Sequence, residues 1–151
     1  MGNQTHRPPR RLILVKHGQP RIDPDAPPST WPLSDEGRAA ATALAARLDR
    51  FEPAALVCST ELKAIETAQA ISAVLGLPVS QDDDLGEQHN ETGGFQDPLV
   101  FEALVARMFR EPHHLVLGEE TGEAARLRFD AALDRQLVAH PVGTLVVVAH
   151  G

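Results

Sequence analysis

Cysteine and long apolar runs are the scarcest features of this 151-residue chain. Its single cysteine, Cys58, excludes an internal disulfide, which suits a reducing compartment. No stretch approaches the roughly 20 apolar residues that cross a bilayer, and the polar N-terminus lacks the apolar segment of a signal peptide. We therefore expect a cytoplasmic protein without a membrane partner, in which residues 1–11 form a flexible tail.

Basic residues are also in short supply. Lysine and arginine number 14 against 21 acidic residues, which gives a net charge of -7. General binding of nucleic acid needs a basic face, so we expect no nucleic-acid partner. An anionic small substrate is compatible with this charge, because a local basic pocket can overcome the field of the whole chain. The hydrophobic fraction of 42% at this length predicts one domain with its own core.

Short apolar runs alternate with helical patterns along the chain. The runs at 12–15, 55–58, 78–80 and 144–149 predict strands, and the last is the clearest buried one. Helices are predicted over about 35–51, 61–75, 98–109 and 121–139. This alternation predicts an α/β domain over 12–151 with a mainly parallel sheet. Three phenylalanines near the third helix are expected to pack in the core or in a lid: Phe95, Phe101 and Phe109.

Polar residues follow three of the predicted strands. His17 follows the first, Ser59 the second and His150 the last. Ligands of such sheets bind beyond the carboxyl ends of the strands, so these side chains are candidates for a common site. Each histidine precedes a glycine, which lets the backbone approach a ligand closely. A single histidine at a strand end is usually an ordinary loop residue, but two His-Gly pairs at equivalent strand ends indicate a site.

Five segments carry a family resemblance: Lys16-His17-Gly18-Gln19 and the residues 31–38, 58–68, 85–87 and 146–151. In this order they resemble the motifs of histidine phosphatases, the phosphoglycerate mutase-like family. Each motif is weak alone, but the ordered set is specific for the fold and covers residues 12–151. The resemblance implies a three-layer α/β/α sandwich with a mainly parallel central sheet, here lacking the C-terminal part.

The resemblance also implies a two-step phosphatase mechanism. His17 would attack phosphorus and become a phosphohistidine, with a backbone carbonyl holding its other ring nitrogen. Glu87 would protonate the leaving oxygen and then help to activate water, with a raised pKa that favours the acid form. Glu91 competes for this role, and Glu87 is preferred.

The remaining implied residues bind the phosphoryl group. His150, Lys16 and Lys63 would hold its oxygens, since phosphoryl transfer depends mostly on positioning and charge stabilisation. Hydrogen bonds would come from Gly18, Gln19 and Ser59. No metal or other cofactor is implied, and the adjacent His113 and His114 lack further ligands at a suitable spacing.

The chain departs from the family at both phosphate-binding arginines, which are Lys16 and Lys63 here, the only lysines present. Arginine binds phosphate through a rigid fork, whereas lysine offers a mobile point charge. We therefore expect weak or narrow activity on a small phosphorylated metabolite or a phosphoprotein. The alternatives are a phosphate- or phosphoprotein-binding module without turnover, and a subfamily that uses lysine at little cost.

A second departure is that the sequence ends at Gly151, directly after His150. Family domains usually continue with a helix and often a further strand. We expect either a partial or unusually short chain, or a partner subunit, such as a second copy in a homodimer, that covers the gap.

Overall fold

A single parallel sheet forms the centre of the computed structural model, which describes residues 10–151. Its strands are β1 (Arg11–Lys16), β2 (Pro53–Cys58), β3 (Val79–Gln81) and β4 (Thr144–Ala149), in the order β1-β4-β2-β3. Every residue of β4 is buried, because this strand lies between β1 and β2 and both of its faces are covered. The predicted α/β class and the parallel sheet are confirmed.

Within residues 10–151, four α-helices accompany the sheet: α1 (Asp35–Leu48), α2 (Leu62–Leu75), α3 (Pro98–Arg110) and α4 (Gly122–Ala139). The Ser34 hydroxyl accepts a hydrogen bond from the Gly37 amide and so caps α1. Gly76 ends α2 in a left-handed conformation with φ 69°. The first helix is shorter than predicted, because Asp49–Phe51 tightens into a 3-10 turn.

The helices form two layers around the sheet, as the predicted α/β/α sandwich requires. Side chains of α1 and α2, including Ala45 and Ile71, pack on one face of the sheet. The other face is covered by α4, where Ala132 is fully buried and Phe129 packs beside it. Burial on both faces explains why the strands are continuous apolar runs.

The third helix lies apart from these layers. None of the residues of α3 is buried, although the helix is amphipathic. Phe95, Phe101 and Phe109 are expected from the sequence in the core or in a lid, and the core alternative is wrong, since their exposed fractions are 53%, 43% and 77%. Packing in a lid stays a prediction. Helical spacing revealed an apolar face but not whether the core covers it.

The N-terminal boundary differs slightly from the prediction. Most of the predicted tail, residues 1–9, lies outside the described residues, and Arg11 already belongs to β1. Within residues 10–151, no helix has both the length and the apolar character that crossing a bilayer would require.

Candidate active site

The ends of three adjacent strands bring the candidate residues together. The amide of His17, just beyond β1, donates to the Ala149 carbonyl (3.0 Å), and the amide of Ser59, just beyond β2, donates to the Val148 carbonyl (3.0 Å). These bonds extend the ladder on both sides of β4, whose next residue is His150. The parallel topology therefore places all three side chains at one edge of the sheet.

His17 is held in the form that a nucleophile needs. Its Nδ1 atom lies 2.7 Å from the carbonyl oxygen of Gly18, so this nitrogen carries the proton and Nε2 is left with its lone pair. Burial lowers the pKa of His17 below its ordinary value, and the nearby charge of Lys63 lowers it further, while the bond to Gly18 opposes both. The imidazole is therefore neutral near pH 7.

The turn after His17 is fixed by a close approach to α1. A Cβ atom on Gly18 would lie 2.6 Å from the carbonyl oxygen of Gly37, and one on Gly37 would lie 2.2 Å from that of Gln19. Both positions thus require glycine. The Gly18 amide donates to the Thr67 hydroxyl on α2 (3.0 Å), so two helices position the nucleophile.

His150 presents a nitrogen without a partner. Its Nε2 atom lies 2.7 Å from the Ser59 hydroxyl. Its Nδ1 atom is buried and has no hydrogen-bond partner among the described residues, although Glu87 Oε2 is 3.7 Å away. If Ser59 donates to Nε2, then Nδ1–H is free to donate to a ligand oxygen. Burial lowers the pKa of His150 to about 4, so the ring is neutral.

Glu87 extends into the same space from the segment after β3. Burial raises its pKa above the ordinary value, and the charge of Glu61 adds to this, while Lys63 opposes it. The side chain of Glu87 as a whole is 44% exposed. A partly enclosed carboxyl with a raised pKa is suited to donating a proton.

A buried ion pair lies beside these groups. The Nζ atom of Lys63 is 2.7 Å from Glu61 Oε2 and 3.5 Å from Glu87 Oε2, and it donates to the Pro28 carbonyl (3.0 Å). Burial alone would raise the pKa of Glu61, but the hydrogen bond and charge of Lys63 and the hydrogen bond from the Glu87 amide lower it, so this carboxylate is ionised. Lys63 is thus already paired with an internal anion.

The reactive atoms converge on a small volume. One nitrogen of His17, one of His150 and a carboxylate oxygen of Glu87 all lie within 4.8 Å of one another. A phosphoryl group between them could contact all three. The same set of donors could also hold a metal ion, but a metal on His17 would occupy the lone pair that a nucleophile needs.

These atoms lie in a cleft of about 1280 Å³. Seven of the predicted site residues line it: Lys16, His17, Gly18, Gln19, Lys63, Glu87 and His150. Glu91 lines it too, but its carboxylate accepts from the Ser29 hydroxyl at 2.9 Å, and Glu91 does not belong to the close group formed by His17, His150 and Glu87.

We compared the chain with models of known protein families. The model of the histidine phosphatase superfamily (branch 1) matches residues 12–151. The chain belongs to the histidine phosphatase superfamily.

Individual relatives share part or most of the fold. A glucosyl-3-phosphoglycerate phosphatase of Mycolicibacterium vanbaalenii is 36% identical over 90 residues, which cover 53% of this chain and 37% of that relative. The match thus spans little more than a third of the relative's length. Among solved structures, a mycobacterial glucosyl-3-phosphoglycerate phosphatase in complex with VO3 is 28% identical with a TM-score of 0.76, over 95% of this chain and 77% of that one. Bacillus stearothermophilus YhfR is 26% identical with a TM-score of 0.77, over 95% and 75% of the two chains.

Ser59 is placed differently from the other residues that the histidine phosphatase resemblance indicated. Its side chain is fully buried behind His150 and does not line the cleft. Its hydroxyl therefore supports the histidine ring, and direct contact with a phosphoryl oxygen would require the ring to move aside.

Two residues of this histidine phosphatase site were not singled out from the sequence. Glu61 accepts a hydrogen bond from the Glu87 amide (2.7 Å) in addition to pairing with Lys63. Arg128 donates to the carbonyl oxygens of Asp84 (2.8 Å), Gly86 (3.0 Å) and Glu87 (2.9 Å), which fixes the backbone that carries Glu87. Arg128 lies on α4, far from every motif in sequence, so no local signal could have indicated it.

Proposed function

We propose that the protein is a phosphomonoester hydrolase that works through a phosphohistidine intermediate. The observation that carries the proposal is the state of His17: its Nδ1 is held by the Gly18 carbonyl, and one of its ring nitrogens lies within 4.8 Å of a nitrogen of His150 and a carboxylate oxygen of Glu87. In the first step, Nε2 forms a bond to phosphorus and the ester P–O bond breaks. The Glu87 carboxyl group gives its proton to the leaving alkoxide oxygen.

The second step returns the enzyme to its starting state. The Glu87 carboxylate takes a proton from a water molecule whose oxygen bonds to phosphorus, and the N–P bond breaks. Inorganic phosphate leaves and Glu87 is again protonated. His150 Nδ1–H and Lys16 would stabilise the phosphoryl oxygens in both steps, because they lie in the same cleft.

Relatives support hydrolysis of small phosphorylated metabolites. The names of the curated relative and of one solved structure describe phosphatases of glucosyl-3-phosphoglycerate. The curated match covers only 37% of that relative. We therefore propose the phosphatase activity for this chain but not the relative's substrate.

Trapping the intermediate tests the proposal. We expect phosphate release from ethyl phosphate and an acid-labile phosphoryl group on the protein after rapid quenching at alkaline pH. His17→Ala should abolish both. Surface His140→Ala is the matched control and should retain both. A wild-type chain that hydrolyses esters without any labelled His17 would contradict the mechanism.

Binding without turnover is the second candidate, and the Lys63–Glu61 pair favours it. The cation that would hold the phosphoryl group is already neutralised, at 2.7 Å, by an internal carboxylate. Calorimetry with inorganic phosphate and with a phosphopeptide separates the two functions. Affinity that survives His17→Ala, together with no turnover by the wild type, would favour the binding module.

A further inference from the structure

Aromatic side chains are concentrated in the cleft that holds His17. The chain has one tryptophan, five phenylalanines and no tyrosine. Phe51 does not line the cleft. The other five aromatic residues do: Trp31, Phe95, Phe101, Phe109 and Phe129. Core packing explains Phe129 alone among these five, since it packs beside the buried residues under α4.

One wall of the cleft is the apolar face of α3. Five residues at helical spacing line it: Pro98, Phe101, Val105, Met108 and Phe109. Since no residue of α3 is buried, this face is not used to fill the core. It is held open to solvent next to the candidate phosphoryl site.

A second wall of the cleft is the loop that carries Trp31. The indole Nε1–H of Trp31 donates to the carbonyl oxygens of Asp23 (2.9 Å) and Ala26 (3.0 Å), which fixes the ring and satisfies its polar atom. The ring centroid is 5.9 Å from Lys63 Nζ. The aromatic surface therefore begins directly beside the phosphoryl site. Further apolar side chains of this wall are Ile22, Pro24 and Pro27.

The charges of the cleft favour a substrate with a single anionic group. Of the arginines and lysines that line it, Arg126 is paired with Glu123 (2.8 Å) and Asp130 (2.7 Å). Lys16 and Lys63 both belong to the phosphoryl end. Within the described residues, no unpaired lysine or arginine of the cleft is left to bind a second phosphate or a carboxylate.

We propose that the substrate is the monophosphate ester of an alcohol with an aromatic or similarly bulky apolar group. That group lies between α3 and Trp31 while the phosphate lies against His17. The proposal rests on the phosphatase function proposed above and names its substrate class. The cleft volume of about 1280 Å³ leaves room for such a group beyond the phosphate.

Esters with matched leaving groups test the proposal. We would compare 2-(1-naphthyl)ethyl phosphate with ethyl phosphate, glycerol 1-phosphate and 3-phosphoglycerate. All four are esters of primary alcohols, so differences in kcat/KM report mainly binding of the organic group. We expect kcat/KM for the naphthyl ester to exceed that for glycerol 1-phosphate by about tenfold or more, and 3-phosphoglycerate to be the poorest.

Two variants on α3 test whether the apolar face of this helix binds the naphthyl group. Phe109→Ala should lower the ratio of kcat/KM for the naphthyl ester to that for ethyl phosphate by about tenfold. Leu99→Ala is the matched control, because Leu99 lies on α3, is equally exposed at 77%, and does not line the cleft. It should leave the ratio unchanged.

Two results would overturn the proposal: preference for glycerol 1-phosphate over the naphthyl ester, or an equal change of the ratio in both variants. If no ester is turned over, the phosphatase function fails, and calorimetry then decides the inference. Binding of the naphthyl ester about tenfold tighter than ethyl phosphate would support it, and equal affinities would overturn it.

Discussion

The Glu61 carboxylate lies 2.7 Å from the ammonium group of Lys63, and both side chains are largely buried beside the candidate phosphoryl site. Glu61 also lies 3.5 Å from Nε2 of His150, and it accepts a hydrogen bond from the Glu87 amide. It therefore contacts three groups of the site at once. A phosphoryl group at His17 would have to share Lys63 with this carboxylate.

Removing this negative charge should tighten phosphate binding. Glu61→Gln keeps an acceptor for the Glu87 amide and frees the Lys63 charge from its internal partner. We expect inorganic phosphate to bind about tenfold more tightly, as measured by calorimetry, since unpaired charges at short range in a partly buried site interact strongly.

The control for this prediction is Glu52→Gln. It removes the same charge from an exposed residue just before β2, at the opposite end of that strand from Ser59. Its phosphate affinity should equal that of the wild type. Weaker binding by Glu61→Gln would mean that Glu61 holds Lys63 in place and that its charge does not compete with phosphate.

The pH profile should report His17 and Glu87. Burial lowers the pKa of His17 below 6.5, so kcat/KM should rise with pH as this ring loses its proton. Burial raises the pKa of Glu87 above 4.5, so kcat/KM should fall as pH passes that pKa and the general acid is lost. The expected profile is therefore bell-shaped.

Glu87→Gln separates these two limbs. It should remove the fall at higher pH and lower kcat/KM for ethyl phosphate by about a hundredfold. The loss of kcat/KM should be much smaller for 4-nitrophenyl phosphate, because nitrophenolate leaves without a proton and kcat/KM does not report the later attack of water. Equal losses for both esters would contradict the general-acid role, and Glu91→Gln serves as the matched control.

The close contact between Gly37 and the turn after His17 should make alanine at position 37 destabilising. Glycine to alanine within a helix usually stabilises by about 1 kcal/mol. Gly37→Ala should instead destabilise by about 2 kcal/mol, because its Cβ would lie 2.2 Å from the Gln19 carbonyl oxygen. Denaturant unfolding measures the change, and phosphate affinity should fall with it because Gln19 follows Gly18.

A second glycine provides the comparison for that result. Gly76→Ala places alanine at φ 69° with no atom within 4 Å, so only backbone strain of about 1 kcal/mol opposes it. Phosphate affinity should then be unchanged. A Gly37→Ala variant with wild-type stability would show that the turn adjusts easily.

The meeting of His17 and His150 could be predicted from sequence, because parallel strands end at the same edge and each strand is a short apolar run. Glu61 could not be understood in this way, since an acid near the start of a helix is usually solvated. Its burial depends on the distant residues His150 and Glu87. Likewise, the spacing in α3 indicated an apolar face but not that the face lines the cleft.

Arg128 should act on catalysis only through Glu87. Its guanidinium donates to three backbone carbonyl groups, at Glu87 and shortly before it, and to the Glu120 carboxylate at 2.8 Å. Arg128→Lys keeps the charge but loses the fork that makes these bonds. We expect kcat/KM for ethyl phosphate to fall about tenfold with little change for 4-nitrophenyl phosphate, because a misplaced acid slows the first step only where the leaving group needs a proton.

Arg135→Lys is the control for this positioning role. Arg135 lies two turns further along α4 and binds the carboxylates of Asp82 (3.1 Å) and Asp84 (2.7 Å), short of Glu87 itself. The Arg135→Lys variant should leave the ratio of kcat/KM for ethyl phosphate to that for 4-nitrophenyl phosphate unchanged. If Arg128→Lys slows both esters equally, or if Arg135→Lys shifts the ratio as much, then Arg128 stabilises the domain as a whole and does not position the acid.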